Sequence, residues 1–276
     1  MIKSVAGIYF SPSGEAAKIT KKISKVIRDS VDQNLIEDVK CSYEDMLRKG
    51  SNQTSGMEFD PGTVVVIGAP AVSGRLPTPF VERLKKNRGN GAFAVILVTY
   101  GNNNYGNALY EMNSLAEEAG FNVTSAAAFA IGNAIFGTSK GKKRYREDIE
   151  KIIEFAKISA NKIKRFSGTS IDEMKVKPAP LDIKGQMPSG KSLRIPIHPS
   201  ANSLCINCGR CIRICPVGAI DKSDPTNMDI KKCISCAACV SVCEQDARGF
   251  SGPIYAASKL AYEIFTKKKR ETEWFI

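Results

Sequence analysis

Eight of the nine cysteines in this 276-residue chain fall between Cys205 and Cys243, in two runs of identical spacing. Residues 205–216 read CINCGRCIRICP and residues 233–244 read CISCAACVSVCE, each C-x2-C-x2-C-x3-C, with starts 28 residues apart. A dense cysteine cluster in a chain that keeps its thiols reduced reads as metal-binding before it reads as disulfides. A tight loop delivers three thiolates to one face of a 4Fe–4S cubane, and the fourth comes from elsewhere in the chain. Zinc takes four ligands in a C-x2-C…C-x2-C arrangement and has no use for the third and fourth cysteines of each run. The spacing therefore predicts two 4Fe–4S clusters on Cys205, Cys208, Cys211, Cys215, Cys233, Cys236, Cys239 and Cys243. Cys41 stands apart and reads as an ordinary thiol.

A second group of residues could hold an anionic cofactor. Ser11-Pro12-Ser13-Gly14-Glu15 lies between an apolar run, SVAGIYF (4–10), and a helical pattern in EAAKITKKISKVIRDS. Hydroxyls and free N–H groups at a helix N-terminus make a site for a phosphate dianion. Such a loop is also ordinary turn chemistry, so its neighbours matter. TVVVIGAP (63–70) and AFAVILVT (92–99) are further buried-strand patterns, followed by the loops PAVSGRLP (70–77) and TYGNNNYG (99–106).

The elements that must position these loops alternate along the first ~165 residues. FNVTSAAAFA (121–130) is a fourth strand pattern, TPFVERLKKN and ALYEMNSLAEEAG read as helices, and a long amphipathic helix is expected over 143–165. Residues 34–39 are assigned to a further strand by topology alone. Apolar runs separated by helices indicate parallel strands buried on both faces. The expectation is an α/β domain with a doubly wound five-stranded parallel sheet, whose ligands bind outside the carboxyl ends of the strands. Residues 167–203 hold five prolines and read as an extended linker lying along the preceding domain. The predicted division is thus 1–166, a linker over 167–203, a cysteine module over 204–250, and a C-terminal helix (254–268) with a basic tail over 251–276.

The paired cysteine runs resemble those of bacterial two-cluster ferredoxins, small α+β domains in which the fourth cysteine of each run ligates the other cluster. The resemblance implies one cluster on Cys205, Cys208, Cys211 and Cys243, and another on Cys233, Cys236, Cys239 and Cys215. Pro216 follows Cys215 as in that family, whereas Glu244 follows Cys243. The N-terminal domain resembles a flavodoxin, whose first loop, T/S-x-T/S-G-x-T, holds the FMN phosphate; here the match runs through Gly14, with Ala16 at the last position. That resemblance implies FMN contacts from Ser11, Ser13, Gly14 and Glu15, from Pro70, Ala71 and Gly74, and from Thr99, Tyr100, Gly101, Asn102, Tyr105 and Gly106, with Tyr100 or Tyr105 stacking on the flavin. The whole chain is similar to flavodoxin–ferredoxin fusions of anaerobic bacteria and archaea. The function implied is electron transfer between FMN, two clusters and external redox partners. The alternative is an FMN-dependent reductase of a small molecule, fed by its ferredoxin module.

Composition fits this class. The chain is 43% hydrophobic and 25% charged, which excludes wholesale disorder and a polytopic membrane protein. No apolar run reaches a membrane span, and MIKSVAGIYFSPSGE has no long apolar h-region, so a cytoplasmic protein is expected. The formal charge of +12 falls to about +6 once two clusters and an FMN phosphate of about −2 each are counted. Its surplus sits in GKKRYR (141–146) and KKKR (267–270). These are solvated helix faces or a dock for an acidic redox protein; without a recognition motif, nucleic acid is not expected. Arg210, Arg213, Lys231 and Lys232 lie beside the cysteines and read as surface charge or as groups that tune the clusters. His198, between two prolines, reads as structural.

Overall fold

A computed structural model describes residues 2–31, 39–47, 55–137, 148–167, 178–190, 196–267 and 270–276. Five strands, β1 (Ser4–Tyr9), β2 (Lys40–Asp45), β3 (Thr63–Pro70), β4 (Phe93–Tyr100) and β5 (Asn122–Ala130), run parallel in the order β2-β1-β3-β4-β5. β3 and β4 are buried along almost their whole length, as parallel strands covered on both faces must be. Helices α1 (Glu15–Val31) and α4 (Ile149–Phe166) cover one face, where Ile19, Ile23 and Ile27 meet Phe155, Ala160 and Ile163. Helices α2 (Thr78–Leu84) and α3 (Ala108–Glu118) cover the other, packing Phe80, Leu84, Leu109 and Met112 on Ile67 and Ile96. The order 2-1-3-4-5 is that of flavodoxin-like sheets, with the ligand crevice at the switch between β1 and β3.

Two expectations are corrected. The second strand is Lys40–Asp45 rather than 34–39, and residues 34–38 lie outside the described residues. Its sequence, KCSYED, is polar because it is an edge strand with one face toward solvent, so a search for apolar runs passes over it. The sheet also has six strands rather than five: β8 (Glu273–Phe275) returns from the C-terminus and pairs antiparallel with β5. Trp274 stacks on Phe155, ring centroids 6.1 Å apart, which fixes this strand against the core. The long helix begins at Ile149; residues 138–147, and with them all of GKKRYR, lie outside the described residues.

In the linker, Leu181 and Ile183 pack onto the core face that holds α3. The cysteine module carries two short helices, α5 (Arg210–Ile214) and α6 (Ala238–Ser241), and a two-stranded antiparallel sheet of β6 (Ser200–Ala201) and β7 (Arg248–Gly249). Ala238 is buried in the same core face of the sheet domain, with Ile214 and Cys236 packed against it. Helix α7 (Pro253–Phe265) then leads the chain back to β8. Among the described residues no helix is long and apolar enough to cross a membrane.

Candidate functional site

A cavity of about 670 Å³ opens at the carboxyl edge of the parallel sheet, within the ~300–1,000 Å³ typical of cofactor pockets. Pro12 and Ser13 line it from the loop after β1, residues 70–73 and 75–79 from the end of β3 and the start of α2, and Thr99, Tyr100 and Gly101 from the end of β4. Its far wall belongs to the cysteine module: Val217, Lys232, Ile234, Ser235 and Cys236.

The cavity takes up some of the expected contacts and leaves others aside. Ser13, Pro70, Ala71, Thr99, Tyr100 and Gly101 line it; Ser11, Gly14, Glu15, Gly74, Asn102, Tyr105 and Gly106 do not. Ser11 Oγ instead accepts from the Ala17 N–H at 2.9 Å, capping α1. The Glu15 carboxylate pairs with Lys18 at 2.8 Å, and its other oxygen is buried without a partner. Gly74 and Gly106 let the second and third loops touch: a Cβ on Gly106 would lie 2.6 Å from the Gly74 Cα. Asn102 holds the C-terminal segment, donating to Thr266 O at 3.0 Å and accepting from Arg270 N at 2.7 Å. Tyr105 donates to Glu273 Oε2 at 2.6 Å, and burial together with that carboxylate raises its phenol well above the usual range. Of the two tyrosines, only Tyr100 faces the cavity, with Tyr105 packed edge-on against it at 5.4 Å.

Sequence reasoning missed the loop after β5, where Ile131, Gly132, Asn133, Ala134 and Ile135 line the cavity. The signal was there: IGNAIFG follows a strand's carboxyl end, where α/β ligands bind. Arg75 was also missed; it donates to Gly190 O at 2.8 Å and faces the buried Glu111 at 3.8 Å. For FMN the residues present fit. Ser13 and the α1 N–H groups ahead of Ala17, which no helical carbonyl can satisfy, offer donors to a phosphate, and the loops leave a walled slot for the ring system.

The fourth cysteine of each run lies beside the first three of the other. Cys205, Cys208, Cys211 and Cys243 border one small cavity together with Arg248. Cys215 lies close enough for its charge to act on Cys233, Cys236 and Cys239. Cys215 Sγ accepts from the Ala219 N–H at 3.2 Å and Cys233 Sγ from the Ser235 N–H at 3.4 Å. Such bonds favour thiolate over thiol. Burial works against them: it raises the Cys233 thiol and pushes Cys236 and Cys239 up to about 12, so metal loading there must displace protons. A positive charge nearby offsets part of this. Arg248 is 4% exposed, and its Nη1 is buried without a hydrogen-bond partner. A buried cation needs an anion, and iron–sulfur clusters held by four thiolates supply one. The donor set therefore fits cubane clusters in both chemistry and charge. His198 is placed beside this set, its Nδ1 3.2 Å from Ser235 Oγ.

Residues 204–248 match the family model of the 4Fe-4S dicluster domain. Among curated proteins none matches the sequence. A flavodoxin from the domain Archaea superposes with a TM-score of 0.39 at 13% identity, over 58% of this chain and 98% of that one. An oxidoreductase from Corynebacterium diphtheriae gives 0.42 at 16%, over 59% and 97%. Rubredoxin oxygen:oxidoreductase from the anaerobe Desulfovibrio gigas gives 0.39 at 12%, over 58% and 37%. The strand order, rather than these alignments, carries the assignment of the sheet domain. The molecule is a fusion of a flavodoxin-like α/β domain with a ferredoxin-type 4Fe–4S module.

Proposed function

We propose that this chain is an electron-transfer iron–sulfur flavoprotein that holds FMN in the large cavity and two 4Fe–4S clusters on the eight cysteines. The observation that carries the reading is the composition of the cavity wall: Cys236, a ligand of the second set, lines the same space as Ser13, Ala71 and Tyr100 of the flavodoxin-like domain. FMN, when bound, exchanges electrons in pairs or singly, and each cluster exchanges one. The chain's own residues then set the route. The Cys215/Cys233/Cys236/Cys239 set stands next to the flavin cavity. The Cys205/Cys208/Cys211/Cys243 set stands outside it, with Cys208 exposed. Leu204 and Ile206 beside it are 59% and 64% exposed, a face on which an external redox protein can dock. Residues 1–166 and 204–250 act as the two redox units, with Leu181 and Ile183 of the stretch between them packed on the first.

The test is anaerobic reconstitution with quantitation of iron and flavin. About eight iron and one FMN per chain are expected. A charge-assisted hydrogen bond contributes roughly 1.5–3 kcal/mol, so loss of several phosphate contacts makes riboflavin bind at least ~100-fold more weakly than FMN. Ser13→Asp puts a negative charge beside the phosphate position and removes flavin while sparing iron. Equal, weak affinity for FMN and riboflavin would sink the flavin half of the proposal; about four iron, or zinc, would sink the two-cluster half.

A further inference from the structure

The 28-residue repeat that generates the two cysteine runs continues beyond them. Ala219-Ile220 in the first copy corresponds to Ala247-Arg248 in the second. Both final positions are buried to the same degree, 4% exposed in each case. The repeat therefore sets an isoleucine at a buried position in one half and a guanidinium in the other. Apolar residues are what such a position ordinarily selects, and arginine is almost never fully buried unless paired.

Among the described residues no carboxylate pairs with it. The Arg248 backbone is held in β7 opposite Ala201, and one terminal nitrogen donates to Pro225 O. The other is buried with no hydrogen-bond partner. An uncompensated buried charge is strongly unfavourable. The same side chain borders the cavity enclosed by Cys205, Cys208, Cys211 and Cys243. On its other side β7, which carries Arg248, packs against α6, the helix that holds Cys239.

We propose that Arg248 is the buried countercation shared by the two iron–sulfur clusters and that it sets their reduction potentials. The proposal rests on the reading that the eight cysteines hold clusters. Each electron taken from an external donor adds one unit of negative charge to a cluster, with no bond made or broken. A fixed cation without a carboxylate of its own favours the more negative state. Its effect is larger on the cluster whose cavity it borders and smaller on the other.

The experiment is a redox titration with dithionite of the iron-loaded full chain, followed by electron paramagnetic resonance, for wild type, Arg248→Met and Arg248→Lys. Arg248→Met is expected to shift the reduction equilibrium of the Cys205/Cys208/Cys211/Cys243 cluster toward the oxidised form by about tenfold, or about 59 mV for one electron. The second cluster shifts less, and Arg248→Lys, which keeps the charge, stays near wild type. Unchanged midpoints in Arg248→Met, with only a lower melting temperature, would show a packing role and overturn the proposal. If Arg248→Met loses iron while Arg248→Lys retains it, the charge is required and the proposal stands. Equal loss in both variants assigns the role to the shape of the guanidinium instead and overturns it. A wild-type chain that takes up no iron defeats the cluster reading itself, and this assignment with it.

Discussion

The two cysteine runs share one spacing and occupy opposite environments. In the first, Cys208 is exposed and its partners are half-buried; in the second, Cys233 and Cys239 are buried. Their backbones repeat as well. Left-handed residues fall at Asn207 and Ser235, at Gly209 and Ala237, and at Gly218 and Asp246, each pair 28 apart. The loop geometry needed to wrap a cubane is therefore common to both halves, while side chains differ wherever the surroundings differ. Gly209 is matched by Ala237, Pro216 by Glu244, and Ile220 by Arg248. Shared spacing thus sits in different packing: one set borders the large cavity and the other faces solvent.

The comparison breaks most visibly if the fourth ligands are not exchanged. Cys215→Ala lies in the first run, yet it is expected to destroy the buried cluster and reduce iron from about eight to about four per chain. Mössbauer or paramagnetic resonance spectra that instead show loss of the exposed cluster would break it. Metal removal sharpens the same contrast. With an iron chelator under anaerobic conditions, the exposed cluster should bleach roughly tenfold faster than the buried one, because access without local opening is limited to the first set. Two phases of equal rate would contradict the difference in burial.

A smaller effect is expected from the backbone. Ala237 holds a left-handed conformation with φ of 65° at a buried site, where Gly209 has 70° in the first run. A left-handed residue with a Cβ costs roughly 1–2 kcal/mol. Ala237→Gly should therefore stabilise the loaded chain by about 1 kcal/mol, and Gly209→Ala should destabilise it similarly; thermal melts of the pair read the difference. The smallest effect belongs to Glu244, the residue that replaces proline. It pairs with Arg210 on the open surface, and exposed pairs of this kind contribute little. Glu244→Gln is expected to leave melting temperature and iron content unchanged, and lost iron would reveal a role at the cluster.

How much of this was legible beforehand depended on the range of the interaction. The cysteine runs carry their chemistry in local spacing, because three ligands of a cubane come from one tight loop. The central strands were legible because burial on both faces forces continuous apolar runs such as TVVVIGAP and AFAVILVT. The loops at their carboxyl ends followed from topology, although within them the flavin reading spread over residues that do structural work here: Ser11 caps a helix, Gly74 and Gly106 bring two loops together, and Asn102 anchors the C-terminal segment.

Other features had no local signature. Lys40–Asp45 is a strand only because β1 pairs with it, and Glu273–Phe275 only because β5 offers a free edge and Phe155 a ring to stack on. Sequence by itself determined the two repeated sets of thiolates and the hydroxyl-bearing loop that precedes the first helix. Tertiary structure alone decided which thiolates border the large cavity, which face solvent, and that the arginine at 248 is buried. Those are consequences of burial and of contacts between residues far apart in the chain, and no local pattern of residue types encodes them.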